Sequence, residues 1–243
     1  MTQGIGLSNV LSKIQQMPFR ESLMVFDLDS TLFDLTRRVS AILATFPNHE
    51  MLAKYPKHCE LLKSIQIHRT DWGLKEPLAR IGIIAEDEPD FFRDIQRHWA
   101  QGFFSNEFLE LDFPLPGAVS FVEECLRHGS EVLYLTGRDV KRMQEGTLRS
   151  LQSTGFPLDG DRSRLVLKPT KDLNDAHFKA DIMVDLVKQY RHLCLFENEP
   201  VNINAVIKRV PSIDIVLLDT CHSGLESVDT NHIKVTHFDF RKS

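Results

Sequence analysis

Short apolar runs alternate along this chain with stretches whose apolar residues recur every three or four positions. Leu23–Phe26, Val132–Leu135, Leu165–Leu167, Leu193–Phe196 and Ile213–Leu218 are the runs, and each predicts a strand. Runs with little polar interruption read as strands covered on both faces. Val10, Leu11 and Ile14 predict a short amphipathic helix over 8–17, which Pro18 ends. Ala118, Phe121, Val122, Cys125 and Leu126 predict a second, with Pro116 near its start and Gly129 past its end. A third follows the Val132 strand and breaks near Gly155-Phe156-Pro157, and a fourth runs over Ala176–Tyr190 with Asp175 as its expected cap. A terminal strand is expected near Ile233–Phe238. Strands alternating with helices predict an α/β fold: a Rossmann-like parallel sheet with helices on both faces.

Residues 34–113 break this rhythm. Val39, Ile42 and Leu43, then Leu61, Leu62 and Ile65, then Phe91, Phe92, Ile95 and Trp99 keep helical spacing, and Pro47, Pro56, Pro77 and Pro89 separate the helices. The expected organisation is an α/β core from residues 1–33 and 114–243, interrupted by an α-helical insertion over 34–113.

Candidate chemistry sits at the ends of the apolar runs. Asp27 and Asp29 follow the first run at a spacing of two, so in extended backbone they project together. The C-terminal end of a parallel strand is where open α/β sheets bind ligands. Two adjacent carboxylates repel unless a cation or a shared proton relieves them. A helix cap accounts for one carboxylate and leaves the other unexplained.

The stretch Leu23-Met24-Val25-Phe26-Asp27-Leu28-Asp29-Ser30-Thr31 resembles motif I of the haloacid dehalogenase (HAD) superfamily, an apolar strand followed by Asp-x-Asp-x-Thr/Val. The resemblance implies Asp27 as nucleophile and Asp29 as general acid/base. It extends to Thr136 at the end of the second strand, similar to motif II, whose hydroxyl and nearby N–H groups would hold a phosphate oxygen. Gly137 would let the chain approach the ligand. Arg138 is a candidate partner for an anionic substrate group or a core carboxylate. Motif III requires a lysine. Lys179, one turn into the fourth helix and eighteen residues before the acidic cluster, is favoured over Lys168, which then becomes a rim residue touching substrate. The fourth motif is Glu197-Asn198-Glu199, where the common pattern has paired Asp or Gly-Asp. The implied Mg²⁺ ligands are the Asp27 carboxylate, the Asp29 carbonyl, and Asn198 or Glu197. Helical caps are common in the slot occupied by residues 34–113, and such a cap would cover the site and select the substrate.

The implied activity is two-step hydrolysis of a small phosphate monoester through an aspartyl-phosphate on Asp27. Asp29 favours phosphatase over dehalogenase, because halide leaves without needing a proton. Composition narrows this little. A net charge of −5 gives no electrostatic reason to expect nucleic acid or membrane binding, so a nucleic-acid end-processing phosphatase is the less favoured alternative. A non-catalytic HAD-like binding protein is the other, supported by the altered fourth motif. Cys59, Cys125, Cys194 and Cys221 form no Cys-x-x-Cys pair, so neither a zinc site nor a disulfide framework is expected. Met1–Met17 does not read as a secretory signal and no run reaches the length of a membrane span, so a cytoplasmic location is expected. Arg37 and Arg38 read as a solvated helix face. His68, Arg69, Asp71, Trp72, His98, Trp99 and His222 carry no motif.

Overall fold

The computed structural model describes residues 2–228 and 231–240. In chain order, α1 (Thr2–Gln15) leads to β1 (Ser22–Phe26) and a short β2 (Phe33–Asp34). Five helices follow: α2 (Thr36–Ala44), α3 (His49–Lys54), α4 (Pro56–Leu62), α5 (Lys75–Arg80) and α6 (Pro89–Phe103). A 3₁₀ turn (Leu109–Leu111) precedes β3 (Phe113–Pro114), α7 (Ala118–Arg127), β4 (Glu131–Asp139) and α8 (Val140–Ser153). The chain ends with β5 (Ser163–Lys168), α9 (Asp175–Leu186), β6 (His192–Glu197), α10 (Pro200–Arg209), β7 (Asp214–Leu218) and β8 (Ile233–Val235).

The main sheet has six parallel strands in the order β5-β4-β1-β6-β7-β8. The apolar runs explain why its central strands are buried on both sides. In β1, Met24 and Phe26 enter one apolar cluster with α1 and α7, while Leu23 and Val25 enter a second with α9 and α10. β6 repeats this: Cys194 and Phe196 face the first cluster, Leu193 and Leu195 the second. Period-two alternation thus divides each apolar run between two cores. Phe26 stacks on Phe196, with ring centroids 4.3 Å apart.

The strand order reverses at β1, because β4 and β5 lie on one side of it and β6 to β8 on the other. A crevice for ligands opens at such a reversal, outside the carboxyl ends of the strands. β1 delivers Asp27 and Asp29 to that place.

The helices of residues 36–103 gather around an apolar cluster of their own, including Leu43, Phe46, Leu78, Phe91 and Ile95. The chain leaves and rejoins the core through an antiparallel ribbon in which Phe33 pairs with Pro114 and Asp34 with Phe113.

Several boundaries differ from the sequence expectation. β4 continues past Thr136 to Asp139, with a register irregularity against β5 between those residues. Asp175 is the first residue of α9, and its cap is Asn174, whose side chain accepts from the His177 N–H at 3.0 Å. Asn and Asp cap equally well, so two adjacent candidates left the position ambiguous by one. Gly117 has φ +78° and lies against the backbone of Phe238 and Asp239, where a side chain would not fit. All four cysteines are free and buried. Among the described residues no helix is long and apolar enough to cross a membrane.

Candidate active site

The sheet register builds the centre of the site. Phe26 lies opposite Phe196 on β6, so the next residues, Asp27 and Glu197, stand side by side at the sheet edge. The Asp27 N–H still donates to the Phe196 carbonyl at 3.0 Å, which fixes the backbone at that point. Lys179 reaches in from the second turn of α9. Its Nζ lies 2.6 Å from Asp27 Oδ1 and 2.6 Å from Glu197 Oε2. All three groups are buried. Two carboxylates therefore share one ammonium in a place with little solvent. Burial and the Glu197 charge push Asp27 up to about 7 despite Lys179. Burial opposes the charge on Lys179, but Asp27 and Glu197 outweigh it and hold its pKa above the usual range.

Asp29 stands in a second ionic group. Arg138 Nη2 lies 2.5 Å from Asp29 Oδ1 and 2.6 Å from Asp112 Oδ2. Arg38 Nη2 donates to the same Asp29 oxygen at 2.9 Å, and Arg38 Nε lies 3.2 Å from Asp112 Oδ1. The Arg38 guanidinium also covers the Phe103 ring at 4.1 Å. Burial would raise the Asp29 pKa, but Arg138 and Arg38 overcome it and hold the carboxyl well below the usual carboxylate range. Asp112 has no exposure, and burial pushes its pKa up.

This corrects the reading of Arg38 and selects the core-carboxylate alternative for Arg138. Arg38 is fully buried rather than on a solvated face. Arg138 is occupied by core carboxylates rather than offered to a substrate anion. No local pattern marks Arg38 as buried, because its partners come from 29 and 112, at the two ends of the insertion.

Thr136 is buried, and its Oγ1 accepts from the Arg138 N–H at 3.3 Å. Gly137 lies against the Asp175 carboxylate, which a side chain at 137 would strike. Its close approach is thus to α9. Asp175 is held there by Lys168, whose Nζ lies 2.5 Å from Asp175 Oδ1. Lys168 therefore ties β5 to the start of α9, and its charge is already used. Of the two candidate motif III lysines, Lys179 is the one beside Asp27.

The residues after β6 have distinct partners. Glu197 Oε1 accepts from the N–H groups of Asn198 and Glu199, both at 3.1 Å, while its other oxygen meets Lys179. Both oxygens are thus engaged, which makes Glu197 a poor metal ligand and an anchor for Lys179. Glu199 caps α10 through the Val201 N–H and also accepts from Ser223. Asn198 Oδ1 accepts from Thr31 Oγ1 at 3.1 Å and keeps a second lone pair. Among the described residues no three His, Cys, Asp or Glu side chains form a metal cage. A hard cation that keeps most of its waters needs only one or two carboxylates. Asp27 and Glu197 against the single Lys179 leave net negative charge, and Asn198 adds a neutral oxygen. The donor set fits such an ion.

Asp71, His98, Trp99 and His222 have partners of their own. Asp71 pairs with Arg80, His98 Nε2 meets Thr45 and Ile42, and Trp99 lies against Phe103. His222 Nδ1 accepts from the Gly224 N–H.

Comparison with known proteins agrees with this geometry. The family profile described as HAD superfamily, subfamily IIIB (acid phosphatase), matches residues 108–196. This span carries Thr136, Lys179 and β6 up to Phe196. No curated protein matches the chain. Among solved structures, a predicted phosphoglycolate phosphatase from Haemophilus somnus 129PT superposes with a TM-score of 0.56 at 14% identity, covering 91% of this chain and 96% of that one. Protein tyrosine kinase A from Mycobacterium tuberculosis gives 0.56 at 14% identity, with 93% and 97% covered. A class C acid phosphatase from Bacillus anthracis gives 0.46 at 15% identity, and the match covers 83% of this chain but only 62% of that protein. A named phosphatase and a named kinase share the fold equally well, so the fold alone does not choose between activities. Residues 108–196 are thus similar to the HAD superfamily, subfamily IIIB, profile, and the chain shares its fold with these solved structures.

Proposed function

We propose that this protein is a Mg²⁺-dependent phosphatase acting on a small phosphate monoester, with Asp27 as nucleophile. The observation that carries the reading is the buried Asp27–Lys179–Glu197 group at the sheet reversal. A carboxylate with raised pKa, one ammonium and an excess of negative charge is arranged for nucleophilic attack beside a cation.

In the first step an Asp27 oxygen attacks phosphorus, and the ester P–O bond breaks with its electrons going to the leaving oxygen, which takes up a proton from solvent. In the second, water attacks the aspartyl-phosphate phosphorus and gives up a proton, releasing inorganic phosphate and the Asp27 carboxylate. Lys179 holds Asp27 in place and meets the charge of the phosphoryl oxygens. The Thr136 hydroxyl and neighbouring N–H groups hold one of those oxygens. When bound through Asp27, the Asp29 carbonyl and Asn198, Mg²⁺ would supply the positive charge that keeps Asp27 ionised.

Asp29 has a narrower role in this arrangement than the family resemblance implies. Two guanidiniums hold it as a carboxylate, which suits accepting the water's proton in the second step. Donating a proton to the leaving group requires exchange of those contacts. Arg38 comes from the insertion, so residues 34–113 act in this proposal as a cap whose position sets the surroundings of Asp29.

Phosphate release from a panel of small phosphomonoesters, with and without Mg²⁺, tests the reading. Mg²⁺-dependent turnover that Asp27→Asn abolishes is expected. Folded protein with no turnover on any ester would overturn it. That result would favour a ligand-binding HAD-like protein, for which the neutralised Asp29 is the supporting observation.

A further inference from the structure

The short segment Thr220–Ser223, just past β7, crosses beneath two parts of the site. Thr220 Oγ1 donates to the Ser30 carbonyl at 2.6 Å, and Cys221 Sγ lies 3.1 Å from Ser30 Oγ. Ser30 has φ +59°, a conformation that side chains other than glycine adopt at a cost. The segment thus holds the turn that follows Asp29. On its other side the Cys221 carbonyl accepts from Asn198 Nδ2 at 2.5 Å. Ser223 donates through its N–H and its hydroxyl to the two Glu199 oxygens, each at 2.8 Å.

These contacts decide how the residue at 198 sits. A carbonyl has no hydrogen, so Cys221 requires a donor opposite it. The amide meets that need with Nδ2 and turns Oδ1 toward Thr31 and the motif I turn. A carboxylate at 198 would place an acceptor oxygen against the Cys221 oxygen in a buried position, with neither satisfied. The Asn that departs from the acidic family pattern is the residue the segment demands.

We propose that Thr220–Ser223 is a positioning strap for the cation site, which dictates an amide at 198 and aims its oxygen at the cation, with Thr220 and Ser223 as positioning residues. The inference rests on the cation reading above. Elsewhere, adding a carboxylate to a hard-cation site tightens binding. Here Asn198→Asp is expected not to.

The test is calorimetric titration of metal-stripped full-length protein with Mg²⁺ and with Mn²⁺, beside thermal unfolding in chelator. Wild-type protein binds. Asn198→Ala weakens binding about tenfold or more, a loss of about 1.4 kcal/mol. Asn198→Asp binds no tighter than wild type. Thr220→Val and Ser223→Ala each weaken binding about threefold or more, and Thr220→Ser restores it, which a loss of stability alone would not produce. If Asn198→Asp fails to fold, the Thr220 and Ser223 series decides. Tighter binding by Asn198→Asp, or unchanged affinity in both Thr220→Val and Ser223→Ala, would overturn the strap while leaving the cation site standing. Absence of binding by folded wild-type protein would overturn both.

Discussion

Lys179 pairs with two buried carboxylates, and replacing it separates its structural part from its chemical one. Lys179→Met leaves Asp27 and Glu197 facing each other without a counter-charge. Removing one partner of a buried ionic group costs about 3–5 kcal/mol, which for a chain of this size lowers the unfolding midpoint by roughly 6–20 °C. Glu197→Gln in the same protein should recover part of that loss, because it removes the repulsion. A double-mutant cycle on thermal unfolding measures the coupling. Additive losses would show that Lys179 is not the common partner of the two acids.

Asp27 also makes stability depend on pH in a stated direction. Its folded pKa, about 7, lies above its ordinary value of 3.8. Between these values the folded state binds the proton that the unfolded state has released, so stability falls as pH rises through this window. Asp27→Asn should therefore unfold at a higher temperature than wild type at pH 8 in chelator, by about 2–4 °C for each ~1 kcal/mol. The difference should shrink toward pH 4. Equal midpoints at pH 8 would mean that the carboxylate is not strained. Asp27, Thr136 and Lys179 were legible as residues, because each stands at a fixed distance from a strand or helix boundary. Arg38, Asp112 and the Thr220–Ser223 strap were not, because their partners are distant in sequence and no local spacing reports them.

At the level of elements, the apolar runs carried most of the information. Val25 and Phe26 had to face opposite sides of the sheet, so β1 had to lie inside it, but the reversal of strand order at β1 was not legible, because β6 carries the same alternation. The extension of β4 through Gly137 and Arg138 was hidden because those residues carry no apolar signal. That extension returns Arg138 toward Asp29 and Asp112, where it meets Arg38 from α2. Arg38→Met should thus loosen the insertion more than the core. Its cost reaches about 3–5 kcal/mol if Arg138 does not compensate. Amide exchange should quicken in α2 and α6 while β1, β4 and β6 keep their protection. Uniform quickening across the sheet would show that Arg38 supports the core directly.

For the whole molecule, the two cores beside the sheet and the third among α2 to α6 are separate clusters, each with its own buried residues. The insertion is connected through a two-residue ribbon pair, Phe33–Asp34 with Phe113–Pro114, whose ends are already adjacent. Residues 104–112 remain close to the core: Asn106 Oδ1 accepts from the Gly146 N–H at 2.7 Å, and Leu109 is buried. Replacing 36–103 by a short glycine-serine linker should therefore leave a folded sheet with its Asp27–Lys179–Glu197 group. The excision removes Arg38 but keeps Arg138 between Asp29 and Asp112, so each acid retains a cation. Cooperative unfolding and dispersed amide resonances in the shortened chain would establish the core as an independent unit. Phosphate release that persists with discrimination among esters reduced would assign substrate selection to the insertion. A shortened chain that folds and keeps the same ranking of esters would return that selection to the sheet edge.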